Sequence, residues 1–401
     1  MKKLALVNHY PFDRPKDAKG NLYLELAYIF NKLGMKVELF TLSKRDTISN
    51  FSGYVQNEIK LAIPDTDNVL SASRIADFLA LELTGFRPSI WRMNKSDKLI
   101  DALHRYDPDV IFLTDTMFAR SMERYKERYK NKTKIITYSD TLNAREMLDY
   151  IDNLATTKAK AYVIKYLKKS LRKRYINYLT ELYRRTIDVS DVFVTMTDMH
   201  KKMIIKEFPN SKGKVYTILP GFIPDNRAHN NKPRVKIKVL LFIGACSHGP
   251  NADAINYILN YLAPKLPDKI FMIVGKGCLK KTVKNVHFIG TTPMAIALNK
   301  ADVCLSPMTN DNTGVMSKVL AYLAKNKLVI GTASSFIGYK AKSGFNVIIE
   351  NDLNKYATII KNLENNPKMM KKIQMNAHTA LEGHLEHDLI KAWSLMLKKI
   401  K

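Results

Sequence analysis

Long apolar runs are absent from this chain. No stretch of about 18 consecutive apolar residues occurs in the 401 residues, which excludes a membrane-spanning helix. The start, MKKLALVNHYPF, is basic, but its apolar run is too short for a secretory signal and reads as a first strand. Cysteine is scarce. The three present, Cys246, Cys278 and Cys304, lie in or beside apolar strand patterns. An odd number without paired spacing points to reduced, buried thiols in a cytosolic protein. No cluster has metal-ligand spacing. His384 and His387 in HLEHD could share a helical face, and a solvated pair explains them better than a metal site. Acidic residues are also in short supply, 37 against 65 Lys and Arg, for a net charge of +28. Such a surplus calls for a polyanionic partner: anionic lipid, a pyrophosphate-linked acceptor, or nucleic acid. Lysine enrichment for solubility is the alternative.

The length accommodates two domains, each with its own core. KKLALVNHY reads as a strand, followed by a polar loop and a helix pattern with Leu22, Leu26, Ile29, Phe30 and Leu33 on one face, stopped by Gly34. With MKVELFTLS as the next strand and Gly20 at the helix entry, this is the first unit of a doubly wound domain. PDVIFLTD (108–115) and KIITYSD (134–140) are short apolar runs ending in polar groups, as parallel strands do. Residues 157–186 form a long amphipathic helix or helix pair. Its basic cluster, Lys165, Lys168, Lys169, Arg172, Lys173 and Arg174, has Glu181 as the only acid nearby. One-sided charge of this kind suits an anionic membrane surface, and a nucleic-acid backbone would be served as well. A packed helix with a wet face is the plain alternative. IPDNRAHNNKP (223–233) is the clearest linker.

Beyond the linker, RVKIKVLLFIG, KIFMIVGKG, NVHFIGT, ADVCLSP, KLVIGT and FNVIIE alternate with helical segments, the pattern of a parallel α/β sheet. Gly275-Lys276-Gly277 has the look of a phosphate loop, but a turn after a strand is its expected role. The stretch that organises this half is 314–332, GVMSKVLAYLAKNKLVIGT. A proline-ended strand and a polar loop precede it, a glycine opens it, and a short helix then leads into a buried strand. A helix start placed this way presents free N–H groups and the positive end of the dipole to an anion. Lys318 in the first turn adds a mobile point charge suited to phosphate. An ordinary turn with a solvated lysine has the same sequence.

Read with its neighbours, this segment resembles the C-terminal half of GT-B glycosyltransferases, in particular the retaining glycosyltransferase family 4. Pro307, Gly314, Lys318, Leu323-Ala324, Leu328-Val329-Ile330 and Thr332 fit that family's pattern. Ala321 stands where the family has a glutamate that holds the nucleotide's ribose. In SDTLNAR (139–145), Asp140 and Arg145 fit an acceptor-side motif whose histidine position is Ser139 here. For Asp140, a helix N-cap is the alternative role.

The resemblance implies an α/β protein with the GT-B fold: two Rossmann-like doubly wound domains facing a cleft, with a C-terminal helix crossing back to the N-domain. The expected division is an acceptor domain over 1–222, a linker over 223–235, a nucleotide-sugar domain over 236–380 and the returning helix over 381–401. It further implies a donor site at Gly244, Asn251, Thr313, Gly314, Val315, Met316, Ser317 and Lys318. Asp140 and His9 become the groups that orient or deprotonate the acceptor, with Gly20 and Arg145 beside them. A nucleotide diphosphate sugar serves as substrate, with no cofactor and no metal, and the location is cytoplasmic, peripheral on the inner membrane face. Lys318→Ala should then lower turnover with stability little changed. A DNA-modifying glycosyltransferase, or an inactive GT-B-like binding protein, would carry the same features. A sugar-nucleotide epimerase is disfavoured because its paired carboxylates are not found.

Overall fold

The computed structural model describes residues 2–8, 18–43, 58–62, 96–114, 116–129, 132–139, 177, 180–221, 236–246, 249–309 and 314–400. The chain divides into two compact units. One comprises Met1–Ile218 together with Ile390–Lys401, the other Leu219–Leu389.

The first unit is built on seven parallel strands: β1 (Lys3–Asn8), β2 (Lys36–Ser43), β3 (Glu58–Ala62), β4 (Val110–Leu113), β5 (Lys134–Ser139), β6 (Val192–Thr195) and β7 (Val215–Thr217). Their order is β3-β2-β1-β4-β5-β6-β7, so the winding direction reverses between β1 and β4. Leu4–Val7 and Val110–Leu113 are buried, as strands covered on both faces must be. Leu22, Leu26, Ile29 and Phe30 face the core from the helix Ala18–Lys32, and Gly34 ends that segment at φ 76°. Gly20 is the third residue of this helix rather than part of the loop before it. The last stretch of the chain completes this unit. Trp393, on the helix Glu386–Lys399, packs its ring 5.1 Å from Phe30, 5.4 Å from Phe112 and 5.9 Å from Tyr138.

The second unit has β8 (Val239–Ile243), β9 (Ile270–Val274), β10 (Lys281–Val283), β11 (Val286–Gly290), β12 (Val303–Ser306), β13 (Leu328–Gly331) and β14 (Ile348–Ile349). Their order is β10-β11-β9-β8-β12-β13-β14. All neighbours are parallel except the short edge strand β10, which pairs antiparallel with β11 and was not foreseen in the sequence. The reversal falls between β8 and β12. In open α/β sheets, ligands bind outside the carboxyl ends of the strands at such a reversal.

Two sequence expectations change here. His384 is not solvated: it is fully buried, its Nδ1 2.6 Å from the Pro220 carbonyl oxygen and its Nε2 3.0 Å from that of Gly338. Burial lowers its pKa, against the opposing pull of those carbonyls. It precedes the helix that carries the exposed His387, so the two do not share a helical face. The basic stretch assigned to 157–186 lies outside the described residues except for 177 and 180–186. In that described end, Glu181 accepts from Arg184 and Arg185, and Arg185 also reaches Glu123, so the charges there are balanced.

Candidate active site

At the reversal in the second unit, the loops after β8 and β12 lie side by side. β8 ends at Ile243, and Gly244 donates its N–H to the Val274 carbonyl of β9 (2.9 Å). A Cβ on Gly244 would sit 2.7 Å from Cγ of Asn251, so the Asn251 amide lies flat against the glycine. Asn251 Nδ2 also donates to the Ala245 carbonyl. Gly275 at the end of β9 is more constrained still. A Cβ there would be within van der Waals contact of the Gly244 carbonyl oxygen, at 1.9 Å.

Across the reversal, the helix Ser317–Ala324 starts with Met316 at the N-cap (φ −79°, ψ 104°), whose side chain makes no cap hydrogen bond. The amides of Val319 and Leu320 donate to the Met316 carbonyl. Those of Ser317 and Lys318 have no partner among the described residues, as expected for the orphan donors of a helix start. Tyr339 fixes this end by donating its hydroxyl to the Met316 carbonyl (2.8 Å). The Ile243 amide donates to Tyr322 Oη (2.8 Å), tying the middle of the helix to the end of β8. Hydroxyls of Thr332 and Ser334 donate to the Met308 carbonyl, and that of Ser335 to the Ser306 carbonyl, which shapes the loop after β12.

Lys318 bridges the two halves. Its Nζ donates to Asn251 Oδ1 at 2.6 Å, lies 3.6 Å from Met308 Sδ and sits 4.3 Å from the centre of the Phe242 ring. No carboxylate pairs with it among the described residues. Desolvation in this pocket pushes its pKa down to about 7. The ammonium is thus enclosed rather than mobile, which corrects the sequence expectation. A site with an underneutralised lysine, two orphan amides and an uncapped helix dipole is suited to receive an anion.

Of the residues expected at the donor site, the structure brings Gly244, Asn251, Met316, Ser317 and Lys318 to this one place, with Gly314 and Val315 leading into it. Thr313, His9, Asp140 and Arg145 lie outside the described residues. His9 directly follows Asn8, the end of β1 at the reversal of the first sheet, where Thr114 Oγ1 donates to the Val7 carbonyl (3.1 Å). Ser139 shares a 2.9 Å hydrogen bond with the Tyr183 hydroxyl. Ala321 is 6% exposed and supplies no polar group. Phe242, Met308 and Tyr339 escaped sequence reasoning, since apolar strand ends and a lone tyrosine give no local signal of a site.

The cysteines also require correction. Cys246 and Cys278 form a disulfide, with Cα atoms 5.2 Å apart, and only Cys304 is a free, buried thiol among the described residues. Because β8 and β9 are neighbours, the loops that follow them meet. Cys246 N–H donates to the Lys276 carbonyl at the same place (3.0 Å). Gly275-Lys276-Gly277 is a turn, with Gly277 at φ 78°, and the disulfide straps it to the Gly244–Asn251 loop. Among the described residues no group of His, Cys, Asp or Glu is arranged to hold a metal, and no helix is long and apolar enough to cross a membrane.

The strand orders define the protein's class: two Rossmann-type sheets in one chain, the GT-B fold. Solved structures of the same fold cover essentially the whole chain. A sucrose-phosphate synthase from Thermosynechococcus elongatus matches with a TM-score of 0.68 at 12% identity, over 100% of this chain and 98% of its own. HepE of Anabaena in complex with UDP-glucose matches at 0.66 and 9%, over 100% of both chains. The catalytic domain of starch synthase IV from Arabidopsis thaliana, bound to ADP and acarbose, matches at 0.65 and 11%, over 100% of this chain and 99% of its own. No protein-family model matches the sequence, and no curated protein does so.

Proposed function

We propose that the protein is a glycosyltransferase that moves a sugar from a nucleotide diphosphate sugar to an acceptor hydroxyl. The observation that carries this reading is the enclosed Lys318 at the strand-order reversal, hydrogen-bonded to Asn251 beside the uncapped start of its own helix. The diphosphate takes the place in front of the Ser317 and Lys318 amides. As the sugar departs, negative charge grows on the leaving phosphate oxygen, and those amides and the Lys318 ammonium stabilise it. Because amides and ammonium supply the counter-charge, the proposed reaction proceeds without a metal. Retention of anomeric configuration, and Asp140 or His9 as the group that activates the acceptor, rest on the family resemblance. A lipid-linked or polysaccharide acceptor, and anchoring to an anionic surface by the basic stretch at 157–186, suit the net charge of +28.

Proteins of this fold that hold UDP-glucose and ADP make nucleoside diphosphates the natural probes. Calorimetric titration with UDP, ADP and GDP should show binding of at least one, and Lys318→Ala should abolish or greatly weaken it. Turnover of the matching nucleotide sugar should fall by one to a few powers of ten in the same variant. Binding of none of them by the wild type would overturn the proposal. A second reading, a nucleotide-binding protein without transfer, is favoured by Ala321 and by Ser139, whose hydroxyl is occupied by Tyr183. Nucleotide binding without turnover across a panel of acceptors would select it.

A further inference from the structure

An acid-free stretch of the second unit carries three exposed apolar side chains. From Lys269 to Ala301 there is no Asp or Glu. Leu279, in the turn before β10, is 80% exposed, and Ile296 and Met294 in the first turn of the helix Met294–Lys300 are 50% and 37% exposed. The two sites share one corner of the sheet. Gly275 N–H donates to the Gly290 carbonyl (3.0 Å), and the Lys280 stem lies against Gly290, from which the chain runs directly into that helix. Lys276, Lys280, Lys281 and Lys284 are exposed around Leu279, and none forms an ion pair among the described residues. Of these four ammonium groups, only that of Lys281 has a partner among the described residues, the face of Phe288 at 5.1 Å. The Cys246–Cys278 bond anchors the turn immediately before Leu279, so the side chain is held outward on a fixed support.

We propose that this corner docks on a bilayer rich in anionic lipid, with Leu279, Met294 and Ile296 entering the interface and the lysines meeting the headgroups. Lysine clusters gain affinity from an anionic leaflet, and apolar side chains among them add insertion. A nucleic-acid backbone would use the lysines but gives aliphatic tips nothing to stack on, so the combination favours lipid.

Co-sedimentation of the full chain, without nucleotide, tests this independently of the transferase reading. The wild type should bind mixed phosphatidylcholine–phosphatidylglycerol vesicles and leave pure phosphatidylcholine vesicles unbound. Leu279→Asp should weaken that binding on the order of tenfold, and Lys280→Glu with Lys281→Glu by a similar factor or more. Leu279 is exposed enough for unchanged thermal unfolding to confirm that the fold is intact. No vesicle binding by the wild type, or full binding by both variants, overturns the proposal. Duplex DNA binding that falls with the lysine pair while vesicle binding does not overturns it in favour of nucleic acid.

Discussion

Replacing Lys318 by Met removes an ammonium and leaves a side chain of compatible size among Phe242, Met308 and Asn251. Burial lowers the lysine's pKa from 10.5 to about 7. At about 1.36 kcal/mol per unit, keeping the cation there costs the folded chain on the order of 5 kcal/mol when both states are protonated. The variant leaves Asn251 Oδ1 without its donor, a loss of about 1–3 kcal/mol. The net is a stabilisation of ~2–4 kcal/mol, or roughly 5–15 °C in Tm for a unit the size of Leu219–Leu389. For Lys318→Met the expectation is therefore a gain in stability. The pH dependence has a fixed sign. A lysine whose folded pKa lies below its unfolded value weakens the fold fully below about pH 7, and this effect fades as pH rises toward 10.5. Thermal unfolding without nucleotide should put the Met variant well ahead at pH 6, with most of the gap closed at pH 10. The same variant should bind nucleoside diphosphate at least tenfold more weakly, because a hydrogen bond to a charged group contributes about 1.5–3 kcal/mol. A variant less stable than wild type at pH 6, or equal in nucleotide affinity, would refute the reasoning.

Gly275→Ala places a methyl against the Gly244 carbonyl and forces the loops after β8 and β9 apart. A loss of about 1–3 kcal/mol in stability and a clear drop in nucleotide affinity by calorimetry are expected. Cys246→Ser with Cys278→Ser removes a bond closing a loop of sequence separation 32, worth ~3–4 kcal/mol by loop entropy. Dithiothreitol should therefore lower the Tm of the wild type and leave that of the double variant unmoved, and non-reducing peptide mapping should recover the linked pair. Trp393→Ala empties a pocket formed by Phe30, Phe112 and Tyr138 and should cost about 3–5 kcal/mol by thermal or urea unfolding.

The sequence was most legible where a segment declares itself locally. Val239–Ile243, Ile270–Val274 and Val303–Leu305 are continuous apolar runs, the pattern of strands buried on both faces. Gly314 to Lys318 identified the helix start by local spacing. What escaped depends on which strands are neighbours. Cys246 and Cys278 are distant in sequence and meet only because β8 pairs with β9. Lys318 read as a mobile charge because nothing near it in sequence shows Phe242 and Asn251 closing over it from the other side of the reversal. His384 read as solvated because its two carbonyl neighbours come from Pro220 and Gly338, both remote in sequence. β10 is three residues with two exposed, too short and too polar for a strand pattern to register.

The placement of Trp393 in the first unit has a consequence for synthesis of the chain. When residue 218 leaves the ribosome, Phe30, Phe112 and Tyr138 still lack the indole that fills the space between them, and it arrives only after the whole of the second unit has been made. The nascent amino-terminal half must therefore wait, incompletely packed, while its partner folds. A translation stop shortly before residue 390 would release a product whose earliest-made part is the one left unfinished.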